Sequence, residues 1–84
     1  MPQNNIHEPF STALKLFNIT LKEWSKNRIK PDGALGVHPS MVIRCAKGRE
    51  DSEWLRTDIE QLIEKAHETF PDFYAYHNKE KAAS

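Results

Sequence analysis

The sequence has few of the features that usually cross-link a small protein or direct it elsewhere in the cell. Cys45 is its one cysteine, so an internal disulfide and a metal-binding cysteine cluster are both excluded. No apolar run approaches the roughly 18 residues that a membrane span needs. The N-terminal residues also lack the basic and apolar regions of a secretory signal. We therefore expect a cytoplasmic protein that is not bound to a membrane and is stabilised by packing alone.

Catalytic and metal-binding groupings are missing as well. The histidines are scattered, and none stands at a motif spacing from a carboxylate or a cysteine. His38 precedes Cys45 by two helical turns, about 10 Å on a helix, which is too far for the two to share a metal ion. These absences predict a protein that is not an enzyme. They also predict no metal, no cofactor and no small-molecule substrate.

The chain does have enough apolar and aromatic residues for one small domain. With 84 residues, 38% of them hydrophobic and 10% aromatic, it is too short for two independent cores. A core of this size is thin, so a partner or a second copy would add stability. We expect a flexible segment at 1–8, a single domain at 9–76 and a flexible tail at 77–84.

The charged residues balance overall but are divided along the chain. Lys and Arg number 12, as do Asp and Glu, so the net charge is zero. Residues 15–50 hold eight basic and three acidic residues, whereas residues 51–84 hold eight acidic and four basic residues. This asymmetry predicts one face for an anionic partner and another for solvent or a different partner.

Spacing and capping signals predict two short helices in the first third of the chain. From Pro9 to Phe17, apolar residues recur at helical spacing. Thr20 and Glu23 have the spacing of a capping box, in which the threonine hydroxyl accepts from the Glu23 amide, so a second helix starts at Thr20. We expect this helix to end before Pro31, because proline disfavours helical geometry at the preceding residue.

Two further helices are predicted beyond a turn at Pro31-Asp32-Gly33. Pro39 suits a first helical position and Gly48 suits the residue after a helix, so a third helix spans about 39–47. The segment 51–70 has acidic residues in its first turn and an apolar i, i+4 stripe, which predicts a longer fourth helix. The predicted fold class is all-α, with four to five helices.

A small α+β fold is the alternative. Residues 41–45 read Met-Val-Ile-Arg-Cys, with two β-branched residues that suit a buried strand. A hairpin over 29–45 would then turn at Pro31-Asp32-Gly33. In that fold Arg44 lies on the outer face of a sheet, and the chain is a small interaction module.

One segment of the chain resembles a known family. From Leu35 to Arg49 the chain reads Leu-Gly-Val-His-Pro-Ser-Met-Val-Ile-Arg-Cys-Ala-Lys-Gly-Arg. This resembles the turn and recognition helix of the Cro and phage-repressor (Xre-like) helix-turn-helix regulators, and the similarity covers residues 10–70. The chain departs from the family pattern in its loop, because residues 26–34 separate Ser25 from the Leu-Gly-Val turn, where the family has a much shorter connection.

The resemblance implies a lambda-repressor-like helix-turn-helix fold and a sequence-specific regulator of transcription that binds operator DNA. Arg44 in particular has the donors to read guanine O6 and N7. Charge alone adds the bases of the enlarged loop as phosphate contacts. The predicted DNA contacts are Pro39, Ser40 and Arg44 toward the bases, Lys47 and Arg49 toward phosphates, and Lys26, Arg28 and Lys30 from the loop.

Such a regulator, of phage or mobile-element type, is predicted to act on double-stranded DNA as a homodimer, because one short helix reads only a few base pairs. Its interface would come from the fourth helix and the aromatic residues that follow it. The predicted interface residues are Trp54, Ile59, Leu62, Phe70, Phe73 and Tyr74. The alternative function is a small non-enzymatic protein-binding module, such as a phage inhibitor or an antitoxin-like partner, that uses the acidic helix or the aromatic patch.

Overall fold

The computed structural model describes residues 5–75, and these residues are mostly helical. Four helices follow one another, and a short helical segment at 71–75 comes after them. The four are α1 (His7–Leu16), α2 (Leu21–Lys26), α3 (Pro39–Ala46) and α4 (Glu53–Thr69). Residues 5–75 contain no strand, which confirms the all-α fold class. The predicted tail 77–84 lies outside the described residues.

α1 begins earlier than predicted. The backbone N–H of His7 donates to Asn5 Oδ1 at 3.0 Å, which satisfies one of the amides left free at a helix start. The N–H of Ile6 donates to the Ala46 carbonyl oxygen at 2.7 Å and so ties the entry of α1 to the end of α3. The last part of the predicted flexible segment 1–8 is therefore helical, which corrects the predicted domain start.

α1 and α3 end in the same way. Asn18 and Gly48 follow the two helices with φ of 57° and 79°, the left-handed conformation that closes many helices. The residue after each donates its backbone N–H to the carbonyl five positions earlier, at 2.9 and 2.8 Å. The ending at Gly48 was predicted from the sequence. The ending at Asn18 is possible because asparagine tolerates the left-handed conformation better than most residues do.

The beginning of α2 is the predicted one. Thr20 precedes it in an extended conformation, and the Thr20 hydroxyl oxygen accepts from the Glu23 N–H at 3.1 Å. Ser25, near the end of α2, is 1% exposed, and its hydroxyl donates to the Leu21 carbonyl at 2.8 Å. A small buried residue here lets the chain beyond α2 approach this helix closely.

The core lies where α1 and α4 pack together, and the inner faces of α2 and α3 complete it. Phe10 and Trp24 meet edge to face at 4.9 Å between ring centroids. Each fully buried apolar side chain contributes about 1.5–3 kcal/mol relative to exposure. The buried residues of this cluster are Phe10, Leu14, Trp24, Val42, Cys45, Ala46, Leu55 and Ile59.

The α+β alternative is wrong for residues 41–45, which lie within α3. Pro39 at the first helical position and the side chain of His38 before it start a helix there, and the buried residues Val42, Cys45 and Ala46 fall on one face of that helix. Within the described residues, β-pairing is limited to one isolated antiparallel bridge between Ile29 and Leu35.

Candidate nucleic-acid interface

α3 has one buried face and one exposed face. Val42, Cys45 and Ala46 are 0% exposed and hold the helix against the core. Ser40 and Arg44 are both exposed, and their i, i+4 spacing places them on one face of the helix. The structure thus brings together two of the three predicted base-facing residues at the surface, and Pro39 is partly buried beside them.

The N-terminal end of α3 is capped by a histidine. The Nδ1 atom of His38 accepts from the Ser40 N–H at 3.1 Å and lies 2.7 Å from the Ser40 hydroxyl oxygen. Nδ1 accepts a hydrogen bond only when it carries no proton. Pro39 has no backbone N–H, so the first free amide of the helix belongs to Ser40. The His38 side chain accepts from that amide and so caps the first turn.

Arg44 pairs with an acidic residue beyond the helix. Its Nε lies 3.3 Å from Glu50 Oε2, and the two side chains are 57% and 37% exposed. Ion pairs this exposed contribute between about 0 and 1 kcal/mol, because water screens both charges. The Arg44 guanidinium can therefore exchange Glu50 for another acceptor at small cost.

The remaining basic residues fall into two groups. Lys26 and Arg49 are exposed, and Lys30 and Lys47 are partly buried. In the described part of the chain, the ion pairs recorded involve none of these four side chains. Lys26 is the last residue of α2 and not part of the loop as predicted, Lys30 lies in the connection before α3, and Lys47 and Arg49 come directly after α3.

Arg28 has a different position from the one predicted. Its guanidinium lies 4.0 Å from the centre of the Trp24 ring, and its Nε donates to the Trp24 carbonyl at 3.1 Å. Its Nη1 reaches Asp58 Oδ2 on α4 at 3.4 Å, and the side chain is 23% exposed. The Arg28 charge is used within the chain to join α2 to α4, which corrects its assignment as a phosphate contact.

The connection between α2 and α3 is an ordered hairpin, which we call the 28–36 hairpin. The Gly36 N–H donates to the Arg28 carbonyl at 2.6 Å, and the Lys30 N–H donates to the Ala34 carbonyl at 2.8 Å. These bonds flank Ile29 and Leu35, which makes the two a non-hydrogen-bonded pair whose side chains lie close together on one face.

The same hairpin is held firmly at its base and at its turn. The Val37 N–H donates to the Ser25 carbonyl at 3.0 Å. Gly36 adopts φ 92°, and a Cβ there would lie 3.3 Å from the Lys26 carbonyl oxygen, so only glycine fits this approach without strain. Asp32 Oδ1 accepts from the Ala34 N–H at 2.9 Å and orders the turn.

The exposed pair on the hairpin was not among the predicted site residues. Ile29 is 68% and Leu35 is 71% exposed, whereas the other large apolar residues of the described part are buried or partly buried. The available signal was the Pro31-Asp32-Gly33 turn, which was predicted to connect two helices, or two strands in the α+β alternative, and not to present an exposed apolar pair.

The predicted dimer surface is largely used inside the chain. Ile59 is 0% exposed and belongs to the core, so its assignment to an interface is wrong. Trp54 and Leu62 are partly buried and pack against the same core. The apolar stripe of α4 packs against apolar side chains of the same chain.

The aromatic residues after α4 also contact one another and the helices. The ring of Phe70 contacts the ring of Phe17, which follows α1, with 5.3 Å between the ring centroids. The ring of Tyr74 stacks on His67 of α4, with 3.6 Å between the centroids. Phe73 contacts Tyr74 at 5.2 Å. Burial raises the pKa of the Tyr74 phenol above its ordinary value. The four aromatic members of the predicted interface, Trp54 included, are thus partly buried and do not form an exposed patch.

The single cysteine lies in the core. The Cys45 thiol donates to the Ser52 carbonyl oxygen at 3.5 Å. Burial raises the pKa of this thiol more than Arg56 lowers it. A buried, protonated thiol is unreactive, because the thiolate is the nucleophile.

Residues 5–75 contain no group of three or more His, Cys, Asp or Glu side chains placed to hold a metal ion. None of the helices in this range is long and apolar enough to cross a membrane. No protein-family model, curated protein or solved structure matches this chain.

Proposed function

We propose that this chain is a sequence-specific DNA-binding regulator that places the exposed face of α3 in the major groove. The observation that carries the proposal is the division of α3 into two faces. One face is sealed in the core, and the other offers Ser40 and Arg44 to solvent. A recognition helix needs both properties, because it has to be rigid and yet free to approach the base edges.

The chemistry of the exposed face suits duplex DNA. The major groove is about 12 Å wide and admits an α-helix. Arg44 can donate two hydrogen bonds to guanine O6 and N7, and the Ser40 hydroxyl can donate to or accept from several bases. Lys26, Lys47 and Arg49 supply charge for phosphate contacts that set affinity and orientation.

The proposal extends to the fold and the assembly. The order of short helices, with α3 after a small buried residue of α2, suits a lambda-repressor-like helix-turn-helix domain with an enlarged connection. A short recognition helix reads few base pairs, so two copies would occupy half-sites about one DNA turn apart. We place such a regulator, of phage or mobile-element type, in the cytoplasm with the DNA that it binds.

The alternative of a protein-binding module has less support. Trp54 and Tyr74, the side chains on which it depends most, are partly buried by residues of the same chain. Substitutions at these positions would lower stability whether or not a partner exists. That alternative also gives no role to the excess of basic residues in the segment 15–50.

The experiment is a selection of preferred sequences from random duplex DNA, followed by fluorescence anisotropy titrations of the full chain at two salt concentrations. We expect binding to weaken steeply with salt. Arg44→Ala should cost about 1–3 kcal/mol on the preferred sequence and much less on unrelated DNA. Lys47→Ala, the matched control, should weaken binding to all sequences alike.

Two results would overturn the proposal. One is the absence of salt-sensitive DNA binding by the unaltered chain, which would return the protein-binding module as the leading function. The other is an equal loss on all sequences for Arg44→Ala, which would make Arg44 a phosphate contact and leave α3 without a base-reading role.

A further inference from the structure

We propose that the 28–36 hairpin is a second DNA contact, in which Ile29 and Leu35 pack against the duplex beside the site occupied by α3. This inference rests on the proposed function and identifies a surface that the family resemblance does not supply. It concerns side chains that were not predicted to take part in binding.

The first argument is exposure. Ile29 and Leu35 are 68% and 71% exposed, and they lie side by side across the antiparallel bridge. Single apolar residues on a surface are ordinary, but a rigid adjacent pair is a small contact surface. A chain with so thin a core gains stability by burying such residues, and here the hairpin turns them outward.

The second argument is rigidity. The backbone bonds from Gly36 to Arg28 and from Lys30 to Ala34 hold the pair in register. The Val37 N–H bond to the Ser25 carbonyl fixes the hairpin base on α2. A surface that is ordered before binding loses less conformational entropy on association, so its contacts are worth more.

The third argument is position. Leu35 precedes the first residue of α3, Pro39, by four positions in the chain. Four residues span at most about 14 Å, which is close to the 12 Å width of the major groove. If α3 enters the groove, the hairpin therefore lies within about one groove width of the start of α3, where it can reach the groove wall or the flanking base pairs.

The fourth argument is charge, and it selects the occupant. Lys26 precedes the hairpin and Lys30 lies within it, while Asp32 is turned onto the Ala34 amide. An exposed apolar pair with one lysine three positions before Ile29 and another directly after it suits a polyanion with apolar parts. Thymine methyl groups and base steps are such parts, and isoleucine and leucine are among the apolar side chains that insert between base steps from the minor groove.

The test is the double variant Ile29→Thr/Leu35→Thr, in which β-branched threonine keeps the strand preference of both positions. Circular dichroism and thermal melting should match those of the unaltered chain, because both side chains are exposed. On the selected DNA we expect about a tenfold loss of affinity from the lost apolar contact. The salt dependence should be unchanged, because it counts phosphate contacts.

Lysine variants separate the charge of the hairpin from its apolar pair. Lys30→Gln should lower the slope of log K against log salt by about 0.9. Lys15→Gln, on the exposed face of α1, is the matched control and should leave the slope unchanged. Hydroxyl-radical footprints of the double threonine variant should lose protection at one edge of the site and keep it where α3 binds.

The results distinguish this inference from the proposed function. If the unaltered chain shows no salt-sensitive DNA binding, both fail together. If it binds DNA and the double variant binds equally well with the same footprint, the hairpin contact is wrong and the role of α3 stands. If the double variant instead abolishes self-association in sedimentation without DNA, the pair belongs to a second copy, which also overturns the inference. The single variant Leu35→Thr answers the same question if the double variant does not fold.

Discussion

The two halves of this molecule use their side chains differently. α1 and α4 place their apolar residues in a shared core and leave an acidic face of α4 to solvent, with Glu60, Glu64 and Glu68 exposed. The half made of α2, the 28–36 hairpin and α3 buries a narrow strip and exposes basic and apolar groups. The residues that form the core and the residues proposed to contact DNA are therefore different, so a substitution can change stability without changing binding, or the reverse.

Two arginines show the contrast most clearly. Arg28 makes three contacts with two residues of the chain, Trp24 and Asp58, and its side chain is 23% exposed. Arg44 has one exposed partner and a side chain that is 57% exposed. The first links two helices, and the second is available for another molecule. Arg44 was predicted as a DNA contact from the family resemblance and Arg28 from its charge alone, because the sequence does not show the partners of either side chain.

The largest effect should come from the core half. Ile59→Ala removes a fully buried side chain and should lower the free energy of unfolding by about 2–5 kcal/mol, because it leaves a cavity. Urea unfolding followed by circular dichroism measures the change. Glu64→Ala, on the exposed face of the same helix, is the control and should change it by less than about 0.5 kcal/mol. A small effect for Ile59→Ala would contradict the core described above.

Arg28→Ala should follow in size. It removes the contact with the Trp24 ring and the hydrogen bond to the Trp24 carbonyl, and it leaves Asp58 without this partner. We expect a loss of about 1–2 kcal/mol in the free energy of unfolding. Under conditions where the variant is folded, the salt dependence of DNA binding should be unaltered. A reduced slope would restore Arg28 as a phosphate contact.

Glu50→Gln tests the other arginine in the opposite direction. It removes the exposed partner of Arg44 and one negative charge beside the proposed DNA face. The pair is worth at most about 1 kcal/mol, so DNA affinity should rise by up to roughly fivefold, and the free energy of unfolding should fall by no more than about 1 kcal/mol. Anisotropy titrations at low salt measure the gain. Weaker binding would mean that Glu50 holds Arg44 in its productive position.

The smallest effect should be a pH dependence from Cys45. Because burial raises the pKa of the thiol above its ordinary value of 9.0, the folded state keeps this proton longer than the unfolded state. Stability is therefore unaffected at lower pH and falls as the pH rises through 9.0 and above. The stability difference between the unaltered chain and Cys45→Ala should shrink over this range. A constant difference up to pH 10 would show that the thiol titrates alike in both states.

Several features of the fold could be read from neighbouring residues. The Thr20 cap, the proline at the start of α3 and the left-handed Gly48 each depend on chemistry within a few positions of the chain, and the structure has all of them. The apolar period of the segment 51–70 also predicted α4, which spans Glu53–Thr69. Such signals act locally, so a linear sequence contains them in full.

Other features depend on which distant surfaces meet. Arg28 binds Asp58 thirty positions away, and the apolar stripe of α4 packs against α1 in the core. The outward orientation of Ile29 and Leu35 follows from hydrogen bonds that position the whole hairpin on α2. Local residue chemistry thus sets where the helices of this protein begin and end. Which apolar faces become buried and which charges stay free is decided only when the helices pack together. Before packing, each apolar face could be covered by the apolar face of any of several other helices.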